Sequence, residues 1–192
     1  MKLRQACNSP ALLSGVDEDF PNVSIKLEEL SRELEENTGK HKVLVFSQFT
    51  SMLSLVEQEL RAKGLTYAYL DGSTTQKKRK EAVESFQNDD AIRIFLISLM
   101  AGGVGLNLTA AEYIYLIDPW WNPAVEQQAI DRTHRIGQTK KVFAYKMICK
   151  DSVEEKILQL QQRKKNLAAD LVTDESGFVK KLTQDDVAFL FS

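Results

Sequence analysis

The chain has 192 residues, 43% of them hydrophobic, with 25 basic and 27 acidic side chains and a formal net charge of −2. That length supports one ample core, so a single domain with appendages is expected. The near-neutral balance argues against a dedicated polycationic DNA-binding domain but leaves room for a local basic face.

Residues 1–23 contain Pro10, Gly15, Pro21 and the acidic run Asp17-Glu18-Asp19, which predicts a linker or irregular arm. Ser24 is placed to cap a helix whose Leu27, Leu30 and Leu34 form a stripe. Five short apolar runs follow, at 43–46, 67–70, 92–97, 113–117 and 142–148, rich in β-branched and aromatic residues. They read as strands, and their nearly continuous hydrophobicity fits parallel strands covered on both faces. Thr50 or Ser51 is placed to cap a helix reaching about Lys63, with Met52, Leu53, Val56 and Leu60 inward and Gly64 as the stop. Thr75 caps the next, burying Ala82, Val83 and Phe86. Pro123 suits the first turn of a third. Strands alternating with helices predict a three-layer α/β domain with a mainly parallel sheet and right-handed crossovers.

Toward the C-terminus, Val153, Ile157, Leu160, Leu167 and Leu171 recur at helical spacing and predict one long amphipathic helix. Glu175-Ser176-Gly177 interrupts it. Thr183-Gln184-Asp185-Asp186 then reads as a capping box opening a short helix with Val187, Leu190 and Phe191 on its apolar side. The expected division is an arm over 1–23, the α/β domain over 24–150 and a helical extension over 151–192. Cys7 and Cys149 stand far apart without C-x-x-C spacing and are expected to be reduced, structural thiols. With only His41 and His134 in the chain, a His/Cys zinc site lacks ligands, and no metal site is expected. No apolar run reaches the roughly 18 residues of a membrane span. Met1 leads into Lys2-Leu3-Arg4-Gln5 rather than a signal-peptide core, so a soluble, intracellular protein without a membrane partner is expected.

The run from Gln127 to Gln138, Gln-Gln-Ala-Ile-Asp-Arg-Thr-His-Arg-Ile-Gly-Gln, carries the most functional information. It sets Gln128, Arg132 and Arg135 at i, i+4 and i+7, so in a continuous helix the three side chains share a face. Two guanidiniums and an amide aimed together suit a triphosphate, because arginine offers fixed charge and a planar fork of donors. A surface helix with two solvated arginines is the bland alternative. Gly102, Gly103 and Gly105 follow a strand, where exposed N–H groups can meet phosphates, although a tight turn also explains glycine there. The segment fails the dinucleotide fingerprint because Leu108 stands at the third glycine position. No G-x-x-x-x-G-K-[ST] loop occurs in these 192 residues, nor an acidic box at a strand end. The parts that cradle β- and γ-phosphates and hold magnesium are therefore not within this sequence. Ser47, Gln48 and Thr74 fall at strand ends, where hydroxyl and amide groups suit phosphate oxygens or simply cap helices. Of the adjacent indoles Trp120 and Trp121, one is expected in the core and the other partly exposed. Lys77-Lys78-Arg79-Lys80 and Arg163-Lys164-Lys165 read as solvated faces with DNA-binding potential.

The 127–138 run resembles the last helicase motif of the Swi/Snf-like chromatin-remodelling ATPases, a branch of superfamily-two translocases. Other segments resemble that family in the expected order: Lys42-Val43-Leu44-Val45-Phe46-Ser47-Gln48-Phe49 at the opening of its second RecA-like lobe, Leu70-Asp71-Gly72-Ser73-Thr74 at the next turn, residues 98–111 around Ala101-Gly102-Gly103-Val104-Gly105-Leu106-Asn107-Leu108, and Asp118-Pro119-Trp120-Trp121-Asn122-Pro123. Residues 3–13 resemble the sequence joining the two lobes, so the chain is expected to be a piece of a longer protein.

The resemblance implies a RecA-like (P-loop-NTPase-like) lobe of an ATP-driven double-stranded-DNA translocase. ATP and magnesium would be held mostly by an N-terminal lobe, the chain's partner. Arg132 and Arg135, with Gln128, would act on the γ-phosphate. Gly105, Asn107 and Asp131 would face the nucleotide. Ser47, Gln48, Thr74, Ala101, Gly102, Gly103 and Trp121 would face DNA. Met100 departs from the basic residue of many relatives, which puts one phosphate contact in doubt. His134 receives no proton-transfer role, because the Gln128/Arg132/Arg135 register is the one that matches. The C-terminal helix would brace the lobes, or simply pack on its own sheet. A protein bound to the DNA is a further possible partner, and a nuclear or nucleoid location is implied. The alternatives are a lobe from another superfamily-two branch acting on RNA or DNA, and a non-catalytic module binding nucleic acid or a partner.

Overall fold

A computed structural model describes residues 2–13, 15, 23–101, 106–118, 120, 123–131, 133, 138–165 and 182–191. Five strands, β1 (Val43–Ser47), β2 (Tyr67–Leu70), β3 (Ile94–Ser98), β4 (Tyr113–Leu116) and β5 (Phe143–Lys146), form one sheet in the order β2-β3-β1-β4-β5, all parallel. Val43 stands opposite both Ile94 and Tyr113, which puts the carboxyl ends of the strands on one edge. β1 and β3 are buried along their whole length, as their unbroken apolar sequence predicts for strands covered on both faces.

Alternation along the strands builds two cores. Leu44, Phe46, Leu70, Phe95, Ile97, Ile114 and Leu116 point to one face, with Phe86 of α4 (Gln76–Asn88) and Ala129 of α5 (Pro123–Ile130). Val43, Val45, Ile94, Leu96 and Tyr115 point to the other, under Leu30 and Leu34 of α2 (Ile25–Thr38) and Met52, Leu53, Val56 and Leu60 of α3 (Thr50–Ala62). The result is the expected three-layer α/β sandwich, with helices covering both sheet faces.

Local signals act much as their chemistry dictates. Ser24 Oγ accepts from Leu27 N at 3.1 Å, and Thr75 Oγ1 from Lys78 N at 3.4 Å. Gly64 takes φ +66° after α3, and Leu65 N donates to Leu60 O at 2.9 Å, closing the helix in a Schellman arrangement. α3 departs from expectation at its start. Its N-cap is Phe49, without a side-chain cap bond, and Thr50 is already helical. Phe49 N instead donates to the Ser47 hydroxyl at 3.0 Å, which draws the helix one residue closer to β1.

Three further departures come from tertiary packing. The N-terminal arm is not irregular throughout: α1 (Lys2–Asn8) and a 3-10 turn (Pro10–Leu12) precede α2, and Arg4 and Asn8 are buried. β5 is exposed along its length, because it is the edge of the sheet. α6 (Val153–Lys165) carries the expected stripe, and its Ile157 and Leu160 form a small cluster with Leu190 of α7 (Gln184–Phe191). The expected continuation through Leu167 and Leu171 lies outside the described residues. The capping box forms, with Asp186 N to Thr183 Oγ1 at 3.2 Å and Thr183 N to Asp186 Oδ2 at 2.8 Å. Val187 and Phe191 nevertheless stay exposed, and Phe189 packs with Leu190 instead.

Candidate phosphate and DNA edge

The carboxyl ends of parallel strands are where α/β sheets gather ligands. Ser47, Asp71 and Ser98 end or directly follow β1, β2 and β3, and Asp118 lies two residues past β4, so one edge collects the sequence-predicted turns. Asp118, fully buried, organises the middle of it. Its Oδ1 accepts from Gln48 N at 3.0 Å, and its Oδ2 accepts from the Ser47 hydroxyl and, at 3.4 Å, from Asn8 Nδ2. Burial pushes this carboxyl up from 3.8 to about 6. The Ser47 hydroxyl, the Gln48 amide and the positive charges of Arg4 and Lys26 pull the other way, and desolvation is the larger effect.

Ser47 is thus enclosed, its hydroxyl engaged with Asp118. Gln48 is half-buried, and its Nε2 is enclosed with no acceptor among the described residues. The Asp71–Thr74 turn is self-braced. Asp71 Oδ1 accepts from Ser73 N at 2.9 Å, Ser73 Oγ at 2.7 Å and Thr74 Oγ1 at 3.1 Å, which holds its carboxyl below the usual range, Ser73 first. Beside it a cleft of about 280 Å³ is lined by Tyr69, Asp71, Ser73, Thr74, Thr75 and Lys78.

Two tethers at this edge were not foreseen. Arg79 Nη2 donates to Ala101 O at 2.8 Å, fixing the residue that leads into Gly102 and Gly103. The basic run containing Arg79 reads as a solvated face, and Lys77 and Lys80 behave that way, highly exposed and facing Glu81 at 4.0 Å and Glu84 at 3.7 Å. Only the planar guanidinium turns inward. Gln87 Nε2 donates to Asn107 O at 2.9 Å and Gln87 Oε1 accepts from Ala110 N at 2.8 Å, so one amide clamps the loop that carries exposed Asn107.

Gln128 of α5 and Asp131, just past its end, are exposed, and Asp131 Oδ1 accepts from Gln127 Nε2 at 2.8 Å. The helix ends at Ile130, and Thr133 N donates to Ile130 O at 3.0 Å, an i→i−3 turn. The buried Thr133 also donates its hydroxyl to Ile130 O at 2.6 Å. Arg132, Arg135, Gly102, Gly103, Gly105, Trp121 and His134 lie outside the described residues.

Trp120 is the core indole, 6% exposed. Its backbone is held on two sides: Glu126 Oε1 accepts its N–H at 2.7 Å, and Gln161 of α6 donates to its carbonyl at 2.5 Å. Glu126 also pairs with Lys146 of β5. Behind the edge, Lys26 Nζ donates to Asn8 Oδ1 at 3.0 Å, Ile117 O at 2.7 Å and Glu154 Oε1 at 2.6 Å. Arm, α2, β4 and α6 so meet at one buried ammonium. Neither Lys26 nor Glu126 is legible as a site residue, because each lies in a segment that reads as an amphipathic helix.

Comparison with known proteins places this edge in context. Residues 25–137, more than half of the chain, match the helicase conserved C-terminal domain family. The ATP-dependent helicase rhp16 of Schizosaccharomyces pombe is 41% identical over 201 aligned residues, covering 96% of this chain, which spans only 23% of that protein. The C-terminal domain of the Sulfolobus solfataricus SWI2/SNF2 ATPase superposes with a TM-score of 0.76 at 28% identity, over 98% of this chain and 77% of that one. The core of the Sulfolobus enzyme in complex with double-stranded DNA gives 0.77 at 29% identity, over 98% and 40%. The chain belongs to the helicase conserved C-terminal domain family and is a RecA-like second lobe of the Swi/Snf-like superfamily-two type.

Proposed function

We propose that this chain is the second motor lobe of an ATP-dependent double-stranded-DNA translocase. In this reading the lobe presents Arg132 and Arg135, with Gln128, to the γ-phosphate of ATP bound chiefly by an N-terminal lobe. The edge formed by Gln48, Thr74, Ala101, Gly102, Gly103 and Trp121 follows the DNA backbone, while Gly105, Asn107 and Asp131 face the nucleotide. The observation that carries it is the gathering of four strand ends and their turns on one sheet edge, with Asp118 and Arg79 fixing the backbone of the Ser47-Gln48 and Ala101 segments. The likeness to an ATPase core crystallised with duplex DNA supports the choice of ligand.

The donor chemistry fits phosphate better than metal. Guanidinium and amide groups match phosphate oxygens, whereas magnesium asks for carboxylate oxygens and water. Among the described residues, no group of three His, Cys, Asp or Glu side chains comes together as metal ligands. ATP with magnesium, when bound, supplies the phosphoryl group to be transferred. This chain's part is to place fixed positive charge where negative charge builds up, and to hold DNA phosphates with the same rigid body. Closure and reopening of the cleft then couple the two sites geometrically. Ser47 serves indirectly, its hydroxyl shaping the turn through Asp118 rather than meeting phosphate.

The decisive experiment measures ATP hydrolysis, with and without duplex DNA, by the isolated chain and by the full-length protein. DNA-stimulated turnover is expected only in the latter. Arg132→Ala or Arg135→Ala in the full-length protein is expected to lower it by roughly 10³-fold or more. Turnover by the pure chain, or full activity in both arginine variants, overturns the reading. Stimulation by single-stranded RNA in place of duplex DNA reassigns it to another helicase branch.

A further inference from the structure

Cys7 and Cys149 are the only cysteines in the sequence, 142 positions apart. The fold brings them together at the junction of α1 with the loop before α6. Cys149 Sγ donates to Cys7 O at 3.1 Å, which sets the Cys149 sulfur against the residue that carries the other thiol. Both are free and partly accessible. The surroundings are not those of inert core cysteines. Ser152 donates to Cys149 O at 2.6 Å, Glu154 accepts from Cys149 N at 3.1 Å, and the Lys26 ammonium pairs with that carboxylate. The neighbouring Cys149 side chain draws the Cys7 thiol down to about 7, whereas the Cys149 thiol is pushed up by its neighbour and by burial. One sulfur is thus a ready nucleophile near neutral pH and the other a waiting thiol, the arrangement of an attacking and a resolving cysteine.

We propose that Cys7 and Cys149 form a redox-sensitive dithiol site that closes to an intramolecular disulfide on exposure to a peroxide. The Cys7 thiolate attacks one peroxide oxygen, the O–O bond breaks, and water leaves as Cys7 becomes a sulfenic acid. The Cys149 sulfur then attacks the Cys7 sulfur, the S–S bond forms, and the sulfenic oxygen leaves as a second water with the Cys149 proton. The two thiols lose two electrons and two hydrogens, and the peroxide is reduced to two waters. An external dithiol reverses the reaction by exchange. Closure staples α1 to the base of α6, directly beside Asn8, whose side chain bonds Asp118 and Lys26. The arm is thereby locked onto the lobe.

The test uses the 192-residue chain, reduced, freed of reductant and treated with equimolar hydrogen peroxide. Both thiols are expected to vanish together in a thiol titration. The intact mass should fall by two hydrogens while the protein stays monomeric, and dithiothreitol should restore both thiols. The melting temperature of the oxidised form is expected to rise by about 5–15 °C, because the bond closes a loop of more than a hundred residues. In Cys149→Ser the same treatment should leave Cys7 as a sulfenic or sulfinic acid with a gain of oxygen mass. Loss of one thiol only, sulfinic acid in the unaltered chain, or a covalent dimer as the main product overturns the proposal. If Cys149→Ser does not fold, the unaltered chain alone decides. None of these outcomes bears on ATP hydrolysis, so this inference and the motor reading stand or fall separately.

Discussion

Lys26 and Glu154, 128 positions apart, meet as an ion pair at 2.6 Å, with Lys26 only 4% exposed and Glu154 fully buried. The same ammonium reaches Asn8 and Ile117 O, so its three donors are satisfied inside the protein. Glu154 in turn accepts from Cys149 N at 3.1 Å. A buried pair of this kind ties elements together but need not stabilise relative to an apolar replacement. Lys26→Met leaves a buried carboxylate without its cation and is expected to cost about 3–5 kcal/mol, read from urea unfolding. The double variant with Glu154→Leu should recover a large part of that loss. An additive double variant contradicts the coupling.

Asp118 makes stability depend on pH. Its carboxyl titrates at about 6 in the fold, against 3.8 ordinarily. Between those values the folded state keeps a proton that the unfolded chain has released, so stability falls as pH rises through the window and levels off above it. Asp118→Asn removes that decline, on the order of 3 kcal/mol across the window. The check is the difference between the two proteins in chemical unfolding at several values from about pH 4 to pH 7. A constant difference means that Asp118 does not titrate there.

Phe86 and Phe95 join α4 to the sheet, ring centroids 5.3 Å apart and both fully buried. Phe86→Ala is expected to cost about 3–5 kcal/mol, because α4 has no other fully buried side chain to hold it down. Phe86→Leu should cost less than half as much. Thermal unfolding with both variants measures this, and a small effect of the alanine change shows that the site collapses to fill the space.

Arg79 tests whether backbone fixation at Ala101 matters for DNA. In the full-length protein, Arg79→Ala is expected to raise the DNA concentration giving half-maximal ATPase stimulation about tenfold, with a smaller change in maximal rate. Arg79→Lys keeps the charge but loses the planar donor. It should behave like the alanine variant if the Ala101 hydrogen bond is what counts, and like the parent if only charge does.

Much of this architecture is written locally. The strand runs at 67–70 and 113–117, the Ser24 and Thr75 caps, the Gly64 stop and the Thr183–Asp186 box all form within a residue or so of their sequence expectation, because each depends on side chains a few positions apart. The family is likewise readable, since the ordered motif segments from Lys42 to Gly137 lie within the residues that match it. What local chemistry does not encode is which groups the crossovers bring together. Asn8, Lys26, Asp118 and Glu154 come from four segments, and only the packed sheet makes them one network. The same holds for the two cysteines, whose wide separation suggests unrelated thiols until the fold sets them side by side. α3 carries the clearest lesson. Thr50 and Ser51 are both suited to cap it, yet its N-cap is Phe49, whose N–H donates to the Ser47 hydroxyl while that hydroxyl engages Asp118. Local chemistry sets which residues could cap a helix; a buried carboxyl 71 positions away decides where this one starts, because a buried hydroxyl must find a partner and only the packed sheet supplies it.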